Sequence, residues 1–329
     1  MHVLFRDLHN TYGGFALSVR RCIAARDWMC LRLRTLFLLR KFLGSRALKS
    51  AATLLLGEHH YDCVIGFRPG ICADLAGYSV KAKRRITWWH HGEFYVDRVA
   101  YGAMCSRMDA VAVVSRACRE MLQDHLPELA DKLICVPNML DASAILQKVE
   151  HTPYAKNDLC IVSVGRFAPE KHFENIVPAA KALQAMNLAF MWHIVGDGSE
   201  RARVEMLITE NGLKDYVILE GSKTNPYPYM KYADLFVHPS YIESQGLTVL
   251  EAMALGVPCV VTKSRGPCEF IEDGINGLLT EQSPESLAEK VLSILTDKTL
   301  YQSIKENTVC PEQFAPDRVM KQIEELIDG

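Results

Sequence analysis

The sequence predicts an α/β protein of two domains, each built on a parallel sheet, and three observations lead there. Short apolar runs alternate with helix-period segments through the second half of the chain, which is the pattern of strands joined by helical crossovers. A length of 329 residues suits two domains of ordinary size. The residues with chemical character follow directly after the apolar runs, and ligands of open parallel sheets bind beyond the carboxyl ends of the strands.

In the second half, strands are expected at Cys160–Val164, Met191–Val195, Tyr216–Leu219, Leu235–His238, Cys259–Thr262 and Gly277–Thr280. Helical patterns such as Glu200–Asn211 and Leu247–Leu255 separate them. The first half repeats the theme, with strands expected at Val3–Arg6, Asp62–Phe67, Arg85–Trp89, Ala110–Val114 and Leu133–Val136. Asp141–Asp158 is polar, contains Pro153 and reads as a linker, dividing the chain into domains at 1–150 and 151–329. The last helix, Pro316–Ile327, closes the second domain in sequence and has the option of folding back to the first. The amino terminus is open to two arrangements. Either His2–Phe5 is the first strand and Tyr12-Gly13-Gly14 a glycine loop, or the chain lacks the first strand–helix–strand unit.

Composition narrows the class. A hydrophobic content of 49% and a charged content of 23% suit a soluble globular protein. Eleven cysteines, scattered without paired spacing and with no His-rich cluster, point to reduced thiols and not to disulfides or a metal site. No cleavable apolar core follows Met1, and no run of about 18 apolar residues exists, so a cytoplasmic location is expected. The net charge of −2 hides an asymmetry. Residues 1–150 hold 21 Lys and Arg against 14 Asp and Glu, and the remainder holds 16 against 25. Nine of the basic residues fall between Arg20 and Lys49, interleaved with Leu and Phe. Such a stretch suits an anionic membrane surface, or equally a solvated helix whose leucines face the core. Nucleic acid is not expected as a partner, because the rest of the chain is acidic and carries no binding motif.

The most informative stretch is Ser240-Tyr-Ile-Glu-Ser-Gln-Gly-Leu-Thr-Val-Leu-Glu-Ala-Met-Ala-Leu-Gly-Val-Pro258. Glu243 lies in a turn after an apolar strand, and Glu251 lies one turn into a helix with apolar residues at Leu247, Leu250, Met253 and Ala254. Gly246 lets the backbone enter that helix closely, so the amides of Gly246, Leu247 and Thr248 are left without helical partners. Unpaired amides at the positive end of a helix dipole attract phosphate. Two carboxylates flanking a phosphate site suit a ligand with both sugar hydroxyls and a diphosphate, a nucleotide sugar.

This stretch resembles the donor-binding signature of the family four retaining glycosyltransferases, which have the GT-B fold of two Rossmann-like domains facing a central cleft. The similarity extends to Val164-Gly-Arg-Phe-Ala-Pro-Glu-Lys171, Ile194-Val-Gly-Asp-Gly-Ser-Glu200, Asn225-Pro-Tyr-Pro-Tyr-Met230 and Gly266-Pro-Cys-Glu-Phe-Ile-Glu-Asp-Gly-Ile-Asn-Gly277. It is dense over 158–329 and loose over 1–150. The resemblance implies that Arg166 and Lys171, set after the close turn at Gly165, hold the donor diphosphate and offset leaving-group charge. It implies that Glu251 binds the ribose hydroxyls and that Glu243 binds the transferred sugar or steadies charge at its anomeric carbon. It places His90, in Trp88-Trp89-His90-His91, on the acceptor side of the cleft, and the Gly13 and Gly14 loop against donor and acceptor. Gln245 departs from the Phe common in the family and is expected to shape the sugar pocket. Glu269 is expected to cap the next helix, and Asn225–Tyr229 to be a rigid loop that either stacks on the base or is a proline-set turn.

The reaction implied is retaining transfer of a sugar from a nucleotide-sugar donor to an acceptor hydroxyl, on a saccharide or lipid-linked acceptor of surface polysaccharide or glycolipid synthesis. No Asp-x-Asp occurs, so no metal and no further cofactor are expected. A glycosidase is disfavoured, because its paired carboxylates need no nucleotide-binding elements. Two alternatives remain, a nucleotide-sugar binding protein without turnover and a sugar-nucleotide 2-epimerase on the same fold.

Overall fold

The computed structural model describes residues 60–154 and 158–329, with Trp28 and Thr35. The expected strand Val3–Arg6, the loop with Gly13 and Gly14, and nearly all of the basic stretch Arg20–Lys49 lie outside the described residues.

Four parallel strands form the first sheet in the order β1 (His60–Gly66), β2 (Lys81–Trp89), β3 (Ala110–Val113), β4 (Leu133–Cys135). Every residue of β3, Ala-Val-Ala-Val, is buried, as suits a strand covered on both faces. β2 begins four residues earlier than expected. Its opening Lys81-Ala-Lys-Arg is charged and hides the strand in sequence, yet it pairs with β1 from His60↔Lys81 onward.

The second sheet is also parallel. Its strands are β5 (Leu159–Val164), β6 (Phe190–Val195), β7 (Val217–Gly221), β8 (Leu235–His238), β9 (Cys259–Thr262) and β10 (Leu278–Thr280). They lie in the order β10-β9-β8-β5-β6-β7. Two cores cover its faces. One gathers the helices Ile176–Ala185, Arg201–Glu210 and Pro284–Thr296, and the other gathers Leu247–Ala254 and Tyr227–Lys231. Strand order reverses between β5 and β8, so the connections leaving these two neighbours run to opposite sides and open a crevice at their carboxyl ends.

One segment departs from expectation, and the last helix takes the folded-back option. The expected linker contains a helix, Ala142–Gln147, capped by Asp141, whose Ile145 is buried in the second sheet's core. Its polar surface is that of a short amphipathic helix packed against the helix Leu247–Ala254, which is hard to tell from a linker over six residues. The last helix, Pro316–Asp328, buries Val319 and Leu326 in the core of the first sheet, and Arg84 Nε donates to the Leu326 carbonyl at 2.7 Å. The chain therefore crosses between the two halves twice.

Candidate functional site

The crevice is built by the turns that follow β5 and β8. Pro239 ends β8, and the turn after it is tied to the β5 turn, because Tyr241 N donates to the Glu170 carbonyl at 3.2 Å. Ser240 Oγ lies 3.1 Å from that same carbonyl. This carries Glu243 back over the end of the sheet, where its Oε1 accepts from Lys171 Nζ and lies 2.7 Å from Nε2 of His238. The Lys171 side chain is 20% exposed and that of Glu243 is 12% exposed. Burial opposes ionisation of Glu243, but the hydrogen bond and charge of His238, with those of Lys171, outweigh it and bring the carboxyl down to about 2. Glu243 is a fixed negative charge at the crevice.

Immediately beyond, Gly246 caps the helix Leu247–Ala254 in a left-handed conformation, φ 85° and ψ 51°. A Cβ there would stand 2.6 Å from Cγ of Pro267, so only glycine fits both the angle and the space. No side chain caps this helix start, so its first amides, at Leu247 and Thr248, lack a side-chain capping partner. One turn in, Glu251 Oε1 accepts from the Tyr227 hydroxyl at 3.2 Å. Burial raises the Glu251 carboxyl, against the Tyr227 hydrogen bond and the charge of Lys148.

The first half closes over this arrangement. After β2 the segment His90-His91-Gly92 runs against the Glu243 turn, and a Cβ on Gly92 would meet the Glu243 carbonyl carbon at 3.0 Å. His90 packs against Phe67 and stacks on Trp88, with centroids 4.6 and 5.9 Å away. Burial first, then the charges of Arg68 and His91, lower the His90 imidazole from 6.5 to about 4, so it is neutral near pH 7. Cys118 Sγ bridges the carbonyls of His91 and Ser244 at 3.4 and 3.8 Å.

The structure thus gathers Glu243, Lys171, Gly246, Leu247, Thr248 and Gly92, with Glu251 one helical turn away and His90 at the facing edge. Gly165 makes the turn after β5, its amide donating to the Val195 carbonyl at 3.0 Å. Arg166 is 71% exposed and pairs with Glu170 at 2.9 Å at the crevice rim, where its charge adds to burial and the charge of Arg68 in lowering the His91 imidazole. Other expectations are corrected. Gln245 does not shape a sugar pocket. It is 2% exposed, and its Oε1 accepts from the backbone and side-chain nitrogens of Asn138 at 2.8 and 2.9 Å while its Nε2 donates to the Asn138 carbonyl. Glu269 caps no following helix. It accepts from the Arg116 and Ala117 amides, 3.1 and 2.7 Å away, at the start of the helix Arg116–His125 in the other half. Asn225–Tyr229 is no loop, because Tyr227–Lys231 is helical, and the Tyr229 hydroxyl is spent on Glu220. Leu247 is exposed on the first turn, and the helix instead buries Val249, Leu250, Ala252 and Met253. His238 was missed as a functional candidate. The available signal was a histidine closing an otherwise apolar strand at the switch point.

Known proteins share this architecture. The family model described as glycosyl transferases group 1 matches residues 144–309. The lipopolysaccharide core biosynthesis glycosyltransferase LpsE of Rhizobium meliloti (strain 1021) is 33% identical over 147 residues, which is 44% of this chain and 42% of that protein. The poly(ribitol-phosphate) alpha-N-acetylglucosaminyltransferase of Staphylococcus aureus (strain COL) is 29% identical over 156 residues, 46% of this chain and 32% of that one. The chain spans less than half the length of these two relatives. The pneumococcal O-GlcNAc transferase GtfA in complex with UDP and GlcNAc has a similar fold, with a TM-score of 0.69 at 20% identity, covering 87% of this chain and 60% of that one. TarM gives 0.70 at 19% identity, covering 91% and 58%. With these neighbours, the two parallel sheets facing one crevice are the GT-B fold. The family model covers half of the chain and spans the whole Glu243 turn and helix, so the chain belongs to the group 1 glycosyl transferases.

Proposed function

We propose that this protein is a retaining glycosyltransferase that moves a sugar from a nucleotide-sugar donor to an acceptor hydroxyl in surface polysaccharide or glycolipid synthesis. One observation carries this most: an ionised Glu243 paired with Lys171 at the switch-point crevice, directly before an uncapped helix start. The helix amides and Lys171 receive the diphosphate, and Glu251 receives the ribose. Glu243 steadies the positive charge that grows at the anomeric carbon as the sugar–phosphate bond breaks. Neutral His90 accepts a hydrogen bond from the incoming hydroxyl or the sugar. Arg166 swings from Glu170 to the diphosphate once that charge arrives. These groups offset the diphosphate without a metal, so activity survives chelation of divalent ions.

The relatives support uracil as the base and retention as the stereochemistry. GtfA was solved with UDP and GlcNAc, and a relative is named an alpha-N-acetylglucosaminyltransferase, the outcome of retention from an α-linked donor. Among the described residues no helix is long and apolar enough to cross a membrane. A cytoplasmic enzyme whose basic amino-terminal stretch touches an anionic membrane surface fits a lipid-linked acceptor, and co-sedimentation with anionic vesicles at low salt checks that part.

The test is UDP release from UDP-glucose and UDP-N-acetylglucosamine, in chelator, with the product's anomeric configuration read by NMR. Glu243→Ala and Lys171→Ala are expected to lose on the order of a hundredfold or more in rate while keeping the native fold by circular dichroism. Near-normal turnover in either variant contradicts the assignment. UDP binding with no release favours a binding protein, and an epimerised nucleotide sugar favours the epimerase.

A further inference from the structure

Lys171 and His238 meet the same oxygen of Glu243, Oε1, from opposite origins. His238 is the last residue of β8, and strand alternation puts it on the face of Phe236, away from Leu235 and Val237. Its ring is buried and stacked on Phe236, with centroids 6.2 Å apart and planes 13° apart. The sheet therefore fixes its place. Lys171 sits on a single 3₁₀ turn, Pro169–Lys171, and ends in a long flexible stem. On the function proposed above, its ammonium is the group that turns to the donor diphosphate. A carboxylate this enclosed cannot lose its cation without either taking up a proton or being pulled out of place. A second donor that stays behind removes that conflict.

We propose that His238 is a positioning residue that holds Glu243 by Oε1 throughout donor binding, releasing Lys171 for the diphosphate and presenting Oε2 to the transferred sugar. This rests on the crevice being the donor site. It assigns a division of labour: Lys171 moves with the ligand, and His238 does not. His238 touches no reacting atom and acts through Glu243 alone.

Two variants separate positioning from simple packing. His238→Gln keeps an N–H that reaches the position of Nε2, and His238→Leu keeps volume and removes the donor. For UDP release from whichever UDP-sugar the native protein consumes, His238→Leu is expected to lower kcat at least about tenfold, with KM and UDP affinity within about twofold. His238→Gln is expected to restore most of that loss. In a Glu243→Gln background, His238→Leu should change kcat by less than about twofold, because no carboxylate remains to be held. Full additivity of the two changes, or equal losses in the Gln and Leu variants, overturns the proposal.

A readout without turnover keeps the proposal separate from the donor-site assignment. In protein labelled at the glutamate carboxyl carbons, with the Glu243 signal identified by its absence in Glu243→Gln, the NMR titration midpoint should rise by more than about one unit in His238→Leu. An unchanged midpoint overturns the proposal whether or not any UDP-sugar is consumed. If the native protein binds no UDP while the midpoint still moves, the donor-site assignment fails and the hold on Glu243 stands. Should His238→Leu not fold, the same titration in His238→Gln decides, a midpoint equal to wild type supporting retention of the hold and a rise as large as about two units contradicting it.

Discussion

Glu243, and His90 two residues before the Gly92 that meets the Glu243 turn, have opposite electrostatic problems, and their titrations separate them. Glu243 has a folded-state pKa depressed from 4.5 to about 2, so the stability it contributes is complete above 4.5 and is lost as pH falls towards 2. His90 is depressed from 6.5 to about 4, so between those values the unfolded chain takes up a proton that the folded one refuses. Stability should therefore fall as pH drops from 6.5 to 4, by something on the order of 2 kcal/mol, and level off below that as far as His90 is concerned. Urea unfolding across pH should show the upper limb shrink in His90→Asn, leaving the smaller part that His91 contributes, and the lower limb flatten in Glu243→Gln. An unchanged upper limb in His90→Asn would assign that slope to another group.

Among the elements, the helix Leu247–Ala254 depends on its glycine. Gly246→Ala forces a side chain into φ 85° and against the Pro267 ring, so a loss of about 1–3 kcal/mol in unfolding free energy is expected, with weakened UDP binding. Wild-type stability and affinity in that variant would show that the helix start tolerates rearrangement. This element was readable in the sequence because its turn, glycine and apolar period are local. So were the strands Leu235–His238 and Cys259–Thr262, whose uninterrupted apolar runs reflect burial on both faces. What escaped was of two kinds. Lys81–Arg84 and Ala142–Gln147 carry enough charge or polarity on one side to mask a strand and a helix. The partners of Gln245 and Glu269 stand 107 and about 153 residues away along the chain, and no spacing rule reaches that far. His238 lay in view, but its role depends on the turn that folds Glu243 back onto it.

At the scale of the whole molecule, the two halves are joined across the crevice by a small set of polar contacts. The Asn138–Gln245 pair makes three hydrogen bonds, and Glu269 caps a helix of the opposite half. Group 1 glycosyl transferases built on two halves are expected to open and close around the donor, and these contacts favour the closed arrangement. Asn138→Ala combined with Gln245→Leu should raise the radius of gyration in small-angle scattering and weaken donor KM more than it lowers the melting temperature. A scattering profile identical to wild type would place the closing force elsewhere. The most direct measurement is a crystal structure of the protein with UDP. The expected result is a diphosphate at the amides of Leu247 and Thr248 with Lys171 turned onto it, the ribose on Glu251, and Glu243 still held by His238. UDP bound away from the β5–β8 crevice, or bound there with Lys171 and Glu251 untouched, would contradict the proposed donor site.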